Sequence, residues 1–329
     1  MDRQIPNTFG LKVKARHWLE YRSEEELETW IREGRITSPY FHIGGGSNLL
    51  FLNDYEGTIL HSAIRDMEIL SEDDAKVLVR VGAGIVWDDF VAICVERGWY
   101  GVENLSGIPG EVGASAVQNI GAYGVEVKDL IYQVETFNMN GEKKVYEAGQ
   151  CEYAYRDSLF KKQEMKHVFV TYVRFCLSKQ EHYSLGYGTL LQEVQAQGRC
   201  DLRTIRETVL AVRNRKLPDP GQLGNAGSFF KNPLVPQAQF DSLLQIYPNM
   251  PHYPAGEGLV KLPAGWLIEQ CGWKGKNQGA AGVYEKQALV LVNRGGADGR
   301  EIMALAQAVQ ASVFRKFGVR ISPEVNVIA

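Results

Sequence analysis

The sequence predicts an α+β protein in three consecutive parts, 1–66, 67–215 and 216–329. Three observations carry that prediction. Strand-like apolar runs alternate with capped helices, glycine clusters crowd into the first 125 residues, and a breaker at Leu217-Pro218-Asp219-Pro220 sets off the last third.

In the first part, Ser23 followed by Glu26 is a capping-box signal. The stretch to Glu33 reads as a helix stopped by Gly34, and Tyr40–Ile43 as a strand running into glycines. The second part is mixed, with strands at Lys76–Val81, Ile131–Phe137 and His167–Leu177. A helix from Trp87 to Arg97 closes on Gly98, and another covers about Thr204–Arg215. The third part ends in an amphipathic helix. Ile302, Leu305, Ala306, Val309 and Val313 recur at helical spacing as a core-facing stripe, and Gly318 stops it.

The formal charge of −3 argues against a nucleic-acid binder held by phosphate contacts, although a local cationic pocket is compatible with it. Met1 to Gly10 is polar, without the apolar run of a secretory signal. Apolar runs such as Leu49–Leu52 and Ala288–Val292 fall far short of the ~20 residues of a spanning helix, so no membrane insertion is expected. Five cysteines, odd in number and without CxxC, read as reduced thiols and point to the cytoplasm. Six histidines in no HxxxH or HExxH pattern make a bound metal unexpected.

The glycine clusters carry more chemistry. Gly44-Gly45-Gly46-Ser47-Asn48, Gly82-Ala83-Gly84 and the run from Ser106 to Gly124 let backbone N–H groups converge on an anion or the chain approach a diphosphate closely. There is no GxxxxGK[ST], and Gly82/Gly84 lacks the third glycine of GxGxxG. The long run is small and uncharged, which suits a shelf under a large flat ligand. Tight turns between strands are the competing account of any one cluster. Two clusters flanking a strand-rich segment favour a dinucleotide cradle.

The strings GGGSNLLF, LSGIPGEVGASAVQNIGAYG, YRDSLFK, RKLPDP, GNAGSFFKNP, AGWLIEQCG and SPEV resemble, in order and over nearly the whole chain, the UDP-N-acetylenolpyruvoylglucosamine reductase family. That resemblance implies an FAD-binding cradle of the vanillyl-alcohol-oxidase type made by the first two parts and an α/β substrate-binding domain made by the third. It implies FAD and NADPH as cofactors and UDP-N-acetylglucosamine enolpyruvate as substrate. The product would be UDP-N-acetylmuramate, for bacterial cell-wall precursor synthesis. Hydride would pass from NADPH to the flavin N5 and on to the enolpyruvyl methylene carbon, leaving an enolate-like charge next to the carboxylate. A monomer is expected.

The same resemblance assigns residues. Gly44, Gly45, Gly46, Ser47, Asn48, Leu49, Ile108, Pro109, Gly113, Ser115, Asn119, Ile120, Gly121 and Ala122 would contact FAD. Ser228 would protonate the substrate carbon, and Arg156 and Glu324 would stabilise the developing charge. Tyr155, Tyr187, Lys216, Asn232 and Gln287 would hold the substrate. The residue types suit these roles. A guanidinium engages a carboxylate through two parallel hydrogen bonds. A hydroxyl held against a carbanionic centre can donate its proton. Glu324, in an apolar stretch, is read as a strand carboxyl suited to an acid or a polariser. Tyr187 lies between Gly186 and Gly188 and would ride a loop that covers the sugar. Bland accounts stand beside each: a structural arginine, a turn serine, an exposed edge-strand glutamate. Lys231 is a further candidate contact, while Trp266 and Trp273 read as packing. One departure is Asn326, where relatives often have arginine.

Two other functions compete. A flavin oxidase of the same superfamily would keep the cradle without needing GNAGSFFKNP. A non-catalytic nucleotide-binding regulator would need none of Arg156, Ser228 and Glu324.

Overall fold

The computed structural model describes residues 3–256 and 258–329; Met1 and Asp2, from the polar start, and Glu257 lie outside it. The chain forms two compact units. The first comprises the chain up to Gln4, Lys14–Gly46 and Tyr55–Arg213, and the second Ile5–Val13, Ser47–Asp54 and Asn214–Ala329.

The first unit contains two main sheets. In one, the order is Arg3–Gln4, Lys14–Tyr21, Tyr55–Ser62, Tyr40–Ile43, with the last two pairings parallel. Half of the expected capping box forms: Ser23 accepts from the Glu26 amide at 3.2 Å, but the Glu26 carboxylate accepts from the Arg22 amide at 2.7 Å rather than from Ser23, and the helix Glu24–Arg32 ends before Gly34 at φ 66°. The other sheet is antiparallel throughout, ordered Lys143–Glu147, Ile131–Asn138, Val168–Ser178, Lys76–Gly82, Met67–Glu72. The helix Trp87–Glu96 packs there: the Phe90 and Phe175 ring centroids are 4.9 Å apart, and Trp87 Nε1 donates to Leu105 O at 2.9 Å. The last helix of this region runs Leu202–Lys216, and its tail passes into the second unit.

The second unit has an antiparallel sheet ordered Gly224–Ser228, Val290–Asn293, Ala281–Val283, Asn277–Gln278. The helix Gly299–Phe317 buries the predicted stripe and ends at Gly318, φ 64°. Its N-terminus carries a full capping box between Asp298 and Glu301. Trp266 packs against Tyr247 and Phe317.

This grouping differs from three consecutive parts in two respects: the first two parts fall in one unit, and Ile5–Val13 and Ser47–Asp54 belong with the last third. Backbone pairing is the reason for the second. Leu49–Phe51 pairs in parallel with Asn326–Ile328, while the Thr8 and Phe9 carbonyls accept from the Asn225 amide and the Asn293 side chain. No described helix is long and apolar enough to cross a membrane.

Candidate active site

In the first unit the glycine clusters lie against one another. Gly82 and Gly84 are spacers: a Cβ at Gly82 would sit 2.4 Å from Ile64 O, and one at Gly84 2.3 Å from Ser62 O. Their segment is held on both sides, by Gly84 N–H to Ile64 O at 3.0 Å and by Gly113 N–H to the Ala83 carbonyl at 3.0 Å. Only glycine lets these backbones approach so closely. Across from them, Gly44 faces the third cluster. Its Cβ would fall 3.1 Å from Ala114 Cβ and 3.2 Å from Glu111 Oε2, and that of Gly45 would fall 3.8 Å from Gly110 Cα. Of the predicted cofactor residues, Gly44 and Gly45 thus lie against the segment Gly110–Ala114, where backbone and small side chains approach closely. That arrangement fits the flat, anionic flavin dinucleotide.

Two predicted contacts in the third cluster turn inward. Ser115 is buried and donates to Val112 O at 2.7 Å. Asn119 adopts φ 47°, and its side chain ties Ala154 O at 2.8 Å and accepts from the Lys128 amide at 3.2 Å. Their side chains therefore shape the shelf.

Arg156 belongs to the same unit, on a four-residue turn closed by reciprocal Ala154–Asp157 backbone bonds of 3.1 Å. Its φ is 56°, a conformation unusual for a side-chain-bearing residue and often found where geometry is fixed for function. The guanidinium donates to the Gly121 and Asn119 carbonyls and stands 5.1 Å from the Tyr155 ring. The YRDSLFK string clamps this turn: Ser158 Oγ donates to Val117 O at 2.6 Å, and Lys161 Nζ reaches Gln118 Oε1 at 3.0 Å and Arg156 O at 3.1 Å. Tyr187, half exposed, packs edge-on against Tyr123 with centroids 6.2 Å apart. Its segment is anchored by Asn104, fully buried, which donates to Tyr123 O at 3.0 Å and Ser184 O at 2.6 Å.

The second unit brings Ser228 and Glu324 together through backbone. The Glu324 amide donates to Phe229 O at 2.7 Å, the Lys231 amide to Ser322 O at 2.9 Å, and Phe230 pairs with Pro323. Glu324 is not on a strand, as its apolar neighbours suggested. It occupies a bend, because pairing with Leu49–Phe51 begins only at Asn326. Ser47, Asn48 and Leu49 join this unit. Asn48 Nδ2 donates to Glu324 O at 3.2 Å, and the Asn326 amide donates to Asn48 O at 3.0 Å. Asn326, the departure from the usual arginine, thus bonds to the glycine-loop exit.

Ser228 follows Gly227, whose φ of 67° and amide bond to Asn225 Oδ1 at 2.9 Å set the turn. Asn225 also donates to Pro218 O at 3.1 Å and Leu223 O at 2.9 Å, which joins GNAGS to RKLPDP. Asn232 and Gln287 converge on the start of the helix Ala264–Gln270. Asn232 Oδ1 accepts the Ala264 amide at 2.9 Å, and Gln287 Oε1 would lie 3.0 Å from a Cβ at Gly265. Lys216 is exposed at the end of its helix.

Sequence reasoning assigned no role to Asn104, Asn225, His61 or Glu111. Asn225 and Glu111 sit inside quoted strings, where neighbouring glycines drew the attention. Asn104 and His61 give no local signal, since their partners lie far along the chain.

Residues 219–328 match the family model described as UDP-N-acetylenolpyruvoylglucosamine reductase, C-terminal domain, and residues 16–145 match one described as FAD binding domain. A UDP-N-acetylenolpyruvoylglucosamine reductase of Bacteroides fragilis (strain YCH46) is 61% identical over 322 residues, 98% of this chain and 97% of its own. One from Porphyromonas gingivalis (strain ATCC 33277) is 47% identical, over 98% of this chain and 96% of its own. The crystal structure of the reductase from Thermus caldophilus shares the fold, with a TM-score of 0.67 at 24% identity, covering 100% of this chain and 99% of that one. The chain belongs to the UDP-N-acetylenolpyruvoylglucosamine reductase family and is an FAD-binding oxidoreductase.

Proposed function

We propose that this protein reduces UDP-N-acetylglucosamine enolpyruvate to UDP-N-acetylmuramate at the expense of NADPH, in peptidoglycan precursor synthesis. The observation that carries the reading is the frame in the second unit, where Ser228, Glu324 and Asn48 sit on segments hydrogen-bonded to one another. A hydroxyl and a carboxyl carried on segments tied together in this way suit protonation next to a stabilised charge.

FAD, held by Gly44–Leu49 and the Ile108–Ala122 shelf, would supply the hydride chemistry. Ser228 delivers a proton to the carbon beside the substrate carboxylate. Glu324 polarises the enolate-like charge, and Arg156 binds the carboxylate with its fixed fork of donors. Arg156 is suited to this because its turn is clamped by Ser158 and Lys161, which limits the freedom lost on binding. Tyr155, Tyr187, Lys216, Asn232 and Gln287 hold the UDP-sugar, Lys216 by charge and the two amides by directed hydrogen bonds. Residues 1–66 and 67–215 would serve mainly the cofactor, with Tyr155, Arg156 and Tyr187 reaching the substrate, and 216–329 the substrate. The protein acts as a cytoplasmic monomer.

The test is an anaerobic visible spectrum during two additions. NADPH should bleach the yellow protein, and the enolpyruvyl substrate should restore the colour. Ser228→Ala should keep the bleaching and slow the restoration by on the order of a hundredfold or more. Unchanged turnover in that variant removes the role of Ser228. Colour that returns only in air points to an oxidase.

A further inference from the structure

Beneath the Gly44–Gly46 loop lies a buried ionisable cluster with no part in the chemistry above. His61, on the strand Tyr55–Ser62, places Nε2 3.0 and 3.2 Å from the two carboxylate oxygens of Glu111. Its Nδ1 is 3.3 Å from Glu20 Oε2. The side chains of His61 and Glu111 are each only 10% exposed. Glu111 precedes the helix Val112–Gln118, yet its side chain does not cap that helix. It points under the glycine loop, with Oε2 3.2 Å from where a Gly44 Cβ would be.

A neutral imidazole has one N–H and can donate to one acceptor; only the imidazolium donates from both nitrogens. A ring with a carboxylate at each nitrogen is therefore built for the charged form. Burial alone would lower the proton affinity of His61, but the hydrogen bonds and charges of Glu111, then of Glu20, outweigh it and raise it. A carboxylate this close to a phosphate-cradling loop would repel a diphosphate unless compensated, since a dry site screens it poorly.

We propose that His61 and Glu111 form a proton-linked positioning pair beneath the Gly44–Gly46 loop, which neutralises Glu111 and so sets how tightly the cofactor's diphosphate is held. This inference rests on the reading of that loop as the FAD cradle. The sign follows from the raised affinity. The positive charge is present at low pH and is lost as pH rises through the His61 transition, which exposes the Glu111 charge to the cofactor. Other groups face the ring or its neighbours. His42, at 2.9 Å from the Tyr21 hydroxyl, is pushed down to about 3 by burial and then by the His61 charge, so it stays neutral. Burial raises Tyr21, which also feels Glu24 and Glu111 and keeps its proton over the same range. His61 is thus the group of the cluster whose charge changes with pH.

The experiment times flavin release from diluted holoenzyme by the rise in flavin fluorescence, from about pH 6 to about pH 9. Wild-type release should accelerate on the order of tenfold across that range. His61→Gln should release rapidly at every pH, Glu111→Gln slowly at every pH, and the double variant should resemble Glu111→Gln. Wild-type release that is flat with pH overturns the proposal. So does a Glu111→Gln variant that loses flavin quickly, because the pair would then be a structural brace. If His61→Gln does not fold, Glu111→Gln and the wild-type profile still decide. A protein with no flavin absorbance before dilution would overturn the cradle reading as well, and the spectrum distinguishes that failure.

Discussion

The loops on which FAD would lie and the segments that carry Ser228 and Glu324 are held by opposite means. The first are positioned by missing side chains, so that Gly82, Gly84 and Gly113 allow backbone to touch backbone. The second are positioned by side-chain amides, with Asn225 fixing the Ser228 turn and Asn48 holding the Glu324 carbonyl. A backbone contact tolerates no added atom, whereas an amide frame fails by losing hydrogen bonds one at a time. The two regions should therefore respond to mutation on different scales.

The largest effect is expected at Gly84. An added methyl would lie 2.3 Å from a strand carbonyl that cannot swing aside, so Gly84→Ala should cost more than ~3 kcal/mol, read by denaturant unfolding. A cost below ~1 kcal/mol would show that the cradle yields and would erase the contrast. Next comes Asn225→Ala, which strips the Gly227 amide and two carbonyls of a buried partner. We expect ~2 kcal/mol of stability lost and, in the same protein, weaker substrate turnover. Flavin content should be unchanged, because the cradle is untouched. The smallest effect sharpens the comparison from the other side. Gly318 has φ 64° but nothing within 4 Å of its Cβ position, so Gly318→Ala should cost only ~1 kcal/mol of backbone strain. A Gly318 variant as damaging as Gly84→Ala would mean that a left-handed backbone alone can cost as much as crowding, and the difference in scale would be lost.

The same contrast explains what could be read in advance. The glycine clusters and the four helices Glu24–Arg32, Trp87–Glu96, Leu202–Lys216 and Gly299–Phe317 are contiguous, so caps, periodicity and short motifs revealed them, whereas Ser228 stood out only through the family resemblance of its string. The strand Tyr55–Ser62 escaped because it is buried on both faces between parallel neighbours and shows no alternation. It also contains Gly57, whose Cβ would meet Pro39 O at 2.0 Å, a close approach that resembles a turn signal in sequence. Glu324 was found as a residue but misread in setting, since its neighbours' apolarity does not show where pairing starts. Its link to Asn48 spans 276 positions and His61 to Glu111 spans 50, and no local pattern encodes either. The left-handed backbone of Arg156 is likewise invisible in the string YRDSLFK.

The pairing of Asn326–Ile328 with Leu49–Phe51 bears on how the molecule can be made or divided. Asn48 is synthesised 278 positions before the Asn326 that binds its carbonyl, so the glycine-loop exit must wait for nearly the whole chain before it acquires its neighbour. A single cut at residue 214 would leave the glycine-loop exit, and the Thr8 and Phe9 carbonyls with it, on the fragment that lacks their partners. The second unit is therefore not a detachable module but a late closure, assembled in one piece with segments from the start of its own chain.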